Sequence, residues 1–310
     1  MNFLNLHYFV VVCEELNITR AAERLFISQQ SLSKHILKLE EELQIQLFNR
    51  TPTLSLTYAG TRLLKTARQI LDLKRQIINE MDDINNHQRG ELRIGISHTR
   101  GRVILPKILP DFRRTHPYID VCVVEGNTRF LEDSLSHGRV DLLVGFGPIL
   151  LEDVESVDLF QERIFLVVPK ELMAGLFPDR LEEMVARFEK NVDVAAFRGC
   201  PFLMLSSANR TRIIFDKYVK KLGIPIQTVL EMESIETLLA LACKGMGITL
   251  YPELFVKNLS FFTDKSEESP VYFFPLAAPS TIGTLVVGYS RERYLSEAAR
   301  DFIALAKNIH

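Results

Sequence analysis

NITRAAERLFISQQSLSKHILKLEEELQIQLFNR, residues 17–50, places two short helical patterns around a tight connection. Thr19 is positioned to cap the first helix, whose apolar face is read as Ala22, Leu25 and Phe26. Ser28 is positioned to cap the second, whose apolar face is Leu32, Ile36, Leu39 and Leu43. The first turns of that second helix carry Gln29, Gln30, Ser31, Ser33, Lys34 and His35. These side chains donate and accept toward base edges, and Lys34 suits a phosphate. A polar helix N-terminus backed by an apolar face is what a helix-turn-helix presents to a major groove.

Working outward, residues 4–16 read as a preceding helix with Leu6, Phe9, Val10 and Cys13 inward. Residues 50–57, RTPTLSLT, alternate and contain proline, the pattern of a short β-wing. From Thr57 to about Asn86 a long helix follows. Leu63, Ala67, Ile70, Lys74, Ile77, Met81 and Ile84 form a heptad seam with one polar interruption at Lys74, which points to pairing with a second chain. Asn85–Gly90 reads as a hinge.

Beyond Gly90 the pattern becomes α/β. Strand runs are expected at 91–97, 120–125, 140–144, 164–168, 201–205, 225–230, 247–250, 271–274 and 283–289, with helices between several of them, including 128–138. Such alternation predicts mostly parallel sheets covered on both faces. One core of 220 residues is near the practical limit, so two sub-domains are expected. The crossover is placed near Val168–Pro169 and the return near Ser269–Pro270.

Charge supports this division. The 310-residue chain carries a net −2, yet residues 16–75 hold ten Lys/Arg against five acids, so that segment is +5 and the remainder −7. A basic module on an acidic body suits phosphate contact by the first and regulation by the second. Hydrophobic content of 47% predicts packed cores. No apolar run approaches a membrane span, and MNFLNLHYFVVVCEELN lacks a basic n-region and a cleavage site, so a cytoplasmic chain is expected. Cys13, Cys122, Cys200 and Cys243 are dispersed without a CxxC pair, which argues against a disulfide framework and a zinc site. No metal or other cofactor is implied. GxSxG, HExxH and a phosphate-binding P-loop are absent, so no enzyme is expected.

The chain resembles the LysR-type transcriptional regulators over nearly its full length. The resemblance rests on AAERLFISQQSLSKHILKLEEEL with LFNR at 47–50 and LTYAG at 56–60, on ELRIGIS at 91–97, and on ESIETLLALACKGMGITLYPE at 233–253. It implies an N-terminal all-α winged helix-turn-helix with a long linker helix, then an α/β periplasmic-binding-protein-like effector domain of two sub-domains. On this chain those are residues 1–58, a dimerising helix at 59–88, and 91–310. Sub-domain I would take 91–167 plus 270–310, and sub-domain II 168–269. The implied partners are a double-stranded DNA operator, a small-molecule effector and further copies of the chain, as a homodimer or a homotetramer built as a dimer of dimers. Gln44 stands where the family usually has glycine, and the wing is poor in cations between Thr51 and Thr57.

Carried over residue by residue, the resemblance assigns Gln29, Gln30, Ser33 and Lys34 to the major groove, Arg50 and Thr51 to the wing, and Arg20 to backbone phosphate. The effector site follows from topology, because ligands of open parallel sheets lie beyond the carboxyl ends of the strands. Loops 97–100, 127–129, 145–147 and 206–209 qualify. They nominate Ser97, Thr99, Arg100, Thr128, Arg129, Phe146 and Ser206, and the nearby cations Arg102, Arg210 and His98 favour a small organic acid. Two alternatives are a thiol redox sensor, with Cys200 the least easily dismissed and Cys122 and Cys243 read as buried, and a solute-binding protein of the same fold.

Overall fold

A computed structural model describes residues 1–51, 53–84, 89–256 and 269–309. Residues 1–84 form α1 (Phe3–Glu15), α2 (Ile18–Arg24), α3 (Gln29–Leu43), a two-stranded antiparallel wing of β1 (Phe48–Asn49) and β2 (Ser55–Leu56), and α4 (Tyr58–Ile84). Asn2, Asn17 and Ser28 cap α1, α2 and α3, each accepting a backbone N–H three residues on. The cap of α2 is therefore Asn17 and not Thr19, which lies inside the helix. Leu6, Phe9, Val12, Ala22, Leu32, Ile36, Leu39, Leu47, Phe48 and Ala67 make the core of this unit.

Two other local expectations fail. Phe26 is 96% exposed, because the turn after α2 gives it a left-handed backbone (φ 54°) that swings it off the apolar face. Leu43 is likewise exposed at the end of α3. Gln44 is the left-handed C-cap of α3 (φ 53°), with its side-chain Nε2 donating to the Glu41 carbonyl at 2.6 Å. Gly60 admits the start of α4, since a Cβ there would sit 2.2 Å from the Leu47 carbonyl oxygen.

The heptad seam of α4 is divided. Ala67 is buried, and Leu63 and Ile70 pack on the N-terminal core of their own chain. Lys74 Nζ lies 5.2 Å from the centroid of the Phe3 ring on α1. Only the second half is open: Leu73, Ile77, Ile78, Met81 and Ile84 form an exposed apolar stripe, with Ile77 59% exposed. Of the expected hinge at 85–90, residues 85–88 lie outside the described residues.

The remainder contains β3 (Gly90–Ile96), α5 (His98–Thr115), β4 (Ile119–Glu125), α6 (Thr128–Ser136), β5 (Leu142–Phe146), β6 (Val154–Pro169), α7 (Lys170–Leu176), α8 (Leu181–Phe188), β7 (Pro201–Leu205), α9 (Arg210–Lys221), β8 (Gln227–Met232), α10 (Ile235–Cys243), β9 (Thr249–Pro252), α11 (Glu253–Val256), β10 (Val271–Pro275), β11 (Ile282–Ser290) and α12 (Glu297–Lys307). The strand order is β10-β6-β11-β5-β3-β4, with β9 also on β6 and β7 beside β8. Among the described residues only the β3–β4, β3–β5 and β7–β8 ladders are parallel, and β6 and β11 pair antiparallel with each neighbour. The sheets are mixed, which corrects the expectation of mostly parallel ones.

Strand β6 belongs to both sub-domains. Residues 154–163 pair with β11, whereas 164–169 pair with β9 and β10. The switch falls between Arg163 and Ile164, five residues before the expected crossover at Val168–Pro169. It coincides with a change from half-exposed VESVDLFQER to the buried run IFLVVP. The return lies beyond β10, which pairs with residues 165–169 and so stays with sub-domain II. It is reached at Ile282 and not near Ser269–Pro270.

Replacing Gln44 by glycine relieves the left-handed backbone at the cost of one exposed side-chain hydrogen bond. Gln44→Gly is expected to stabilise the N-terminal unit by up to about 1 kcal/mol in urea unfolding. An unchanged or lower midpoint would show that the bond to Glu41 outweighs the backbone cost.

Candidate functional site

Two regions gather the side chains expected to bind DNA and effector. The first is the start of α3. Gln29, Gln30 and Lys34 are exposed and Ser33 is half-buried, on the face opposite Leu32, Ile36 and Leu39. Their helical spacing gathers Gln29, Gln30, Ser33 and Lys34 on one surface. His35 turns inward instead. Its Nδ1 lies 2.8 Å from Asn5 Oδ1 and its ring meets Tyr8 edge-on, so it is not part of that surface.

The flanking cations are partly occupied. Arg20 is exposed, and its Nη2 donates to the Glu15 carbonyl at 2.9 Å. Arg50 donates to Glu40 Oε2 at 2.9 Å, while Glu40 Oε1 accepts the N–H groups of Leu47 and Phe48. Glu40 is thus a buried bracket between α3 and the wing, and it neutralises part of the charge Arg50 could offer a phosphate. Thr51 is exposed beside it.

The second region is a cleft between the sub-domains, with a main cavity of about 470 Å³ and a smaller one of about 90 Å³. The size suits a small ligand. Ser97, Thr99 and Thr128 enter from sub-domain I and Ser206 and Thr211 from sub-domain II. Phe146 lines the smaller cavity. None of the five hydroxyls has a hydrogen-bond partner among the described residues. Thr211 lines both cavities although the residue as a whole is only 4% exposed. Helices α6, α9 and α10 have side-chain caps of their own in Asn127, Asn209 and Ser234, whereas α5 has none from its N-cap, Ser97.

Arg100 lines both cavities but is already committed. Its Nη1 donates to Glu162 Oε2 at 2.9 Å, and its guanidinium sits 4.2 Å from the Phe146 ring centroid and 5.6 Å from that of Phe255. Glu162 is 1% exposed, and its second oxygen accepts the Leu254 N–H at 3.0 Å. Arg129 is exposed and lines neither cavity, which removes it from the expected set. Arg102 reaches Glu236 at 3.9 Å and also lies outside both linings. Arg210 donates to the Pro148 carbonyl, and His98 lies 3.2 Å from Glu125.

The carboxylates were missed from sequence. Glu125, Glu233 and Glu236 line the main cavity and Glu132 the smaller one. Glu125 ends the β4 run, and Glu233 and Glu236 open the ESIETLLAL run, so position relative to strand and helix ends was the available signal.

A DNA-reading head joined to a two-lobed cleft defines a ligand-responsive regulator. Residues 3–61 match the family described as bacterial regulatory helix-turn-helix proteins of the lysR family, and residues 85–309 match the LysR substrate binding domain. The chain belongs to the LysR family of DNA-binding transcriptional regulators. It is 29% identical to the uncharacterized HTH-type transcriptional regulator YcgK of Bacillus subtilis, over 99% of this chain and 94% of that one. It is 28% identical to the transcriptional dual regulator GltC of the same organism, covering 97% and 95%. Its fold is that of a full-length OxyR variant from Pseudomonas aeruginosa (TM-score 0.73, 22% identity, 100% and 99% covered) and of CbnR crystallised with its target DNA (TM-score 0.68, 21% identity, 99% of each). Among the described residues no helix is long and apolar enough to cross a membrane.

Breaking a buried ion pair by removing one partner strands the other charge. Glu162→Gln is expected to cost about 3–5 kcal/mol in urea unfolding. Arg100→Met in the same background should recover part of that loss, and strictly additive losses would mean the pair is not coupled.

Proposed function

We propose that the chain reads an operator with Gln29, Gln30, Ser33 and Lys34 in the major groove and with Arg20, Arg50 and Thr51 on the backbone. It acts by binding and not by catalysis, in the cytoplasm. The observation that carries this reading is the free polar surface at the start of α3, held by an apolar face that is buried at Leu32, Ile36 and Leu39. Gln29→Ala or Ser33→Ala should cost about 1–3 kcal/mol on the cognate site and relax base preference there. Lys34→Ala should weaken binding to all sequences and reduce the salt slope by about one. Anisotropy titrations against cognate and scrambled DNA decide it; two alanine variants with unchanged affinity and preference would move the reading surface elsewhere.

The exposed stripe Leu73, Ile77, Ile78, Met81 and Ile84 is the proposed contact with a second copy. Burying these five against an identical stripe gives a two-fold dimer that faces an imperfect palindrome. A dimer of dimers extends the same arrangement to a tetramer. Ile77→Asp should dissociate the dimer in sedimentation velocity and lower operator affinity together. Fully dimeric Ile77→Asp protein would rule out this stripe as the main contact.

The effector occupies the cleft, with an anionic head on the hydroxyls of Ser97, Thr99, Thr128, Ser206 and Thr211 beside the open N-terminus of α5, and its binding resets the angle between the sub-domains. A thiol switch is less well supported. Burial pushes the Cys13 thiol up to about 12 and raises those of Cys200 and Cys243, which lowers their thiolate fraction. Cys122 is exposed, contrary to expectation, and all four cysteines are free thiols.

A further inference from the structure

The charge balance of the cleft does not suit a ligand that is only an acid. Four carboxylates line it, from Glu125, Glu132, Glu233 and Glu236. The lining cations are Arg100, Arg210 and His98, and each already has an acceptor in Glu162, the Pro148 carbonyl and Glu125 respectively. Glu233 and Glu132 have no hydrogen bond or ion pair among the described residues. Glu236 Oε2 accepts from Ser234 Oγ at 3.3 Å. Its Oε1 is shielded from solvent and accepts no hydrogen bond; a long ion pair to Arg102 Nη1, at 3.9 Å, is its one charged contact among the described residues.

The hydroxyls line the same cavity, and the lining acid beside the first turn of α5, Glu125, already faces His98. Thr211 is buried and lines the cavity, Ser97 leaves the first-turn N–H groups of α5 uncapped, and Thr99, Thr128 and Ser206 lie in the same cavity. A dicarboxylate would satisfy this set and then meet Glu233 and Glu236 with like charge in a confined site, which disfavours it. A diamine would satisfy the acids and leave the hydroxyls and the α5 N-terminus facing a cation. One molecule with both charges satisfies both sets.

We infer that the effector is an amino-acid-like zwitterion, its carboxylate at the hydroxyls beside α5 and its ammonium at Glu233 and Glu236. This rests on the reading that the effector binds in the cleft. Glu236 belongs to the first turn of α10, where a carboxylate also complements the helix dipole. That role needs neither Glu233 nor a shielded oxygen without a hydrogen bond, so it does not account for the arrangement.

The test uses the full-length protein and probes of defined charge: the twenty common amino acids, and straight-chain ω-amino acids, diamines and dicarboxylates of three to six carbons. Thermal-shift screening is followed by calorimetry on each compound that raises the melting temperature. The expected result is that every stabilising compound carries both a carboxylate and an ammonium. Glu233→Gln and Glu236→Gln should each weaken the best of them on the order of tenfold to a hundredfold. Glu233 is exposed, so its glutamine variant is not expected to disturb folding. The inference is overturned if a dicarboxylate or a diamine is the best ligand, if no compound bearing both charges stabilises the protein, or if both glutamine variants bind as wild type does.

Thr99→Val and Thr211→Val separate this from the underlying reading. Lost binding of a dicarboxylate in these variants would keep the cleft and discard the ammonium. An amino acid that binds both valine variants and both glutamine variants unchanged would place the ligand outside the cleft and overturn both.

Discussion

The effector domain depends on one buried ion pair, Arg100 with Glu162. Glu162 stands one residue before β6 transfers its pairing from β11 to β9 and β10. One of its oxygens holds the first turn of α5 in sub-domain I through Arg100. The other holds the Leu254 N–H at the start of α11 in sub-domain II. The Arg100 guanidinium lies over Phe146 and Phe255, one ring from each side. A charge this deep is tolerated only with such complete pairing. Its position explains why the most attractive cation in the sequence is a structural clamp at the floor of the cleft and not a free ligand for an anion.

A second polar cluster ties the N-terminal unit to this clamp's domain. Asp72 of α4 is buried and contacts Arg75, Gln76 and Arg293, while Arg75 also reaches Asp141 at 2.7 Å. Asp141 in turn accepts the Arg93 N–H of β3 at 2.8 Å. Near the other end of α4, Asp83 accepts from Tyr294 Oη and from the Glu297 N–H of α12. Helix α4 therefore has two distinct faces beyond residue 71. One is polar and held by the effector domain, and the other is the exposed stripe from Leu73 to Ile84. The same helix that would meet a second copy is fixed to the domain that would sense the effector, so neither can rotate independently of it.

Sequence patterns revealed whatever was local. Capping by Ser28, the core positions Leu32, Ile36 and Leu39, and strands such as Pro201–Leu205 follow from spacing over a few residues. Long-range partners were not visible. Leu63, Ala67 and Ile70 continue the period of Ile77 and Met81, but only the folded chain shows that α1 covers the first three. The first half of β6 was missed because VESVDLFQER is half-exposed and acidic, unlike the buried run after it. Arg100 and Arg129 read as equivalent cations on successive loops. Glu162, 62 residues from Arg100, neutralises one, and the direction of α6 leaves the other outside the cleft. The acidity of the site likewise comes from Glu233 and Glu236, more than a hundred residues beyond the first cleft loop.

Magnitude and placement together constrain how the cleft can move. Coupling between an effector and a distant site is typically about 1–3 kcal/mol, whereas removing one partner of a buried pair such as Arg100 and Glu162 costs about 3–5 kcal/mol. Arg100 on α5 and Glu162 on the first half of β6 both belong to sub-domain I, so a motion between the sub-domains leaves the pair intact. The chain crosses between the sub-domains at two places, the β6 switch at Arg163–Ile164 and the return from Pro275 to Ile282. Near the first, the β6–β11 ladder already shifts register between Leu285 and Val286, which makes that stretch the least regular of the pairing. Rotation concentrated at these crossings would bring Ser206, Thr211, Glu233 and Glu236 toward Ser97, Thr99 and Thr128 while α5 stays pinned to β6. In such a rotation the pair moves with sub-domain I, and a ligand shifts the balance between the two arrangements only by the difference in its contacts with them.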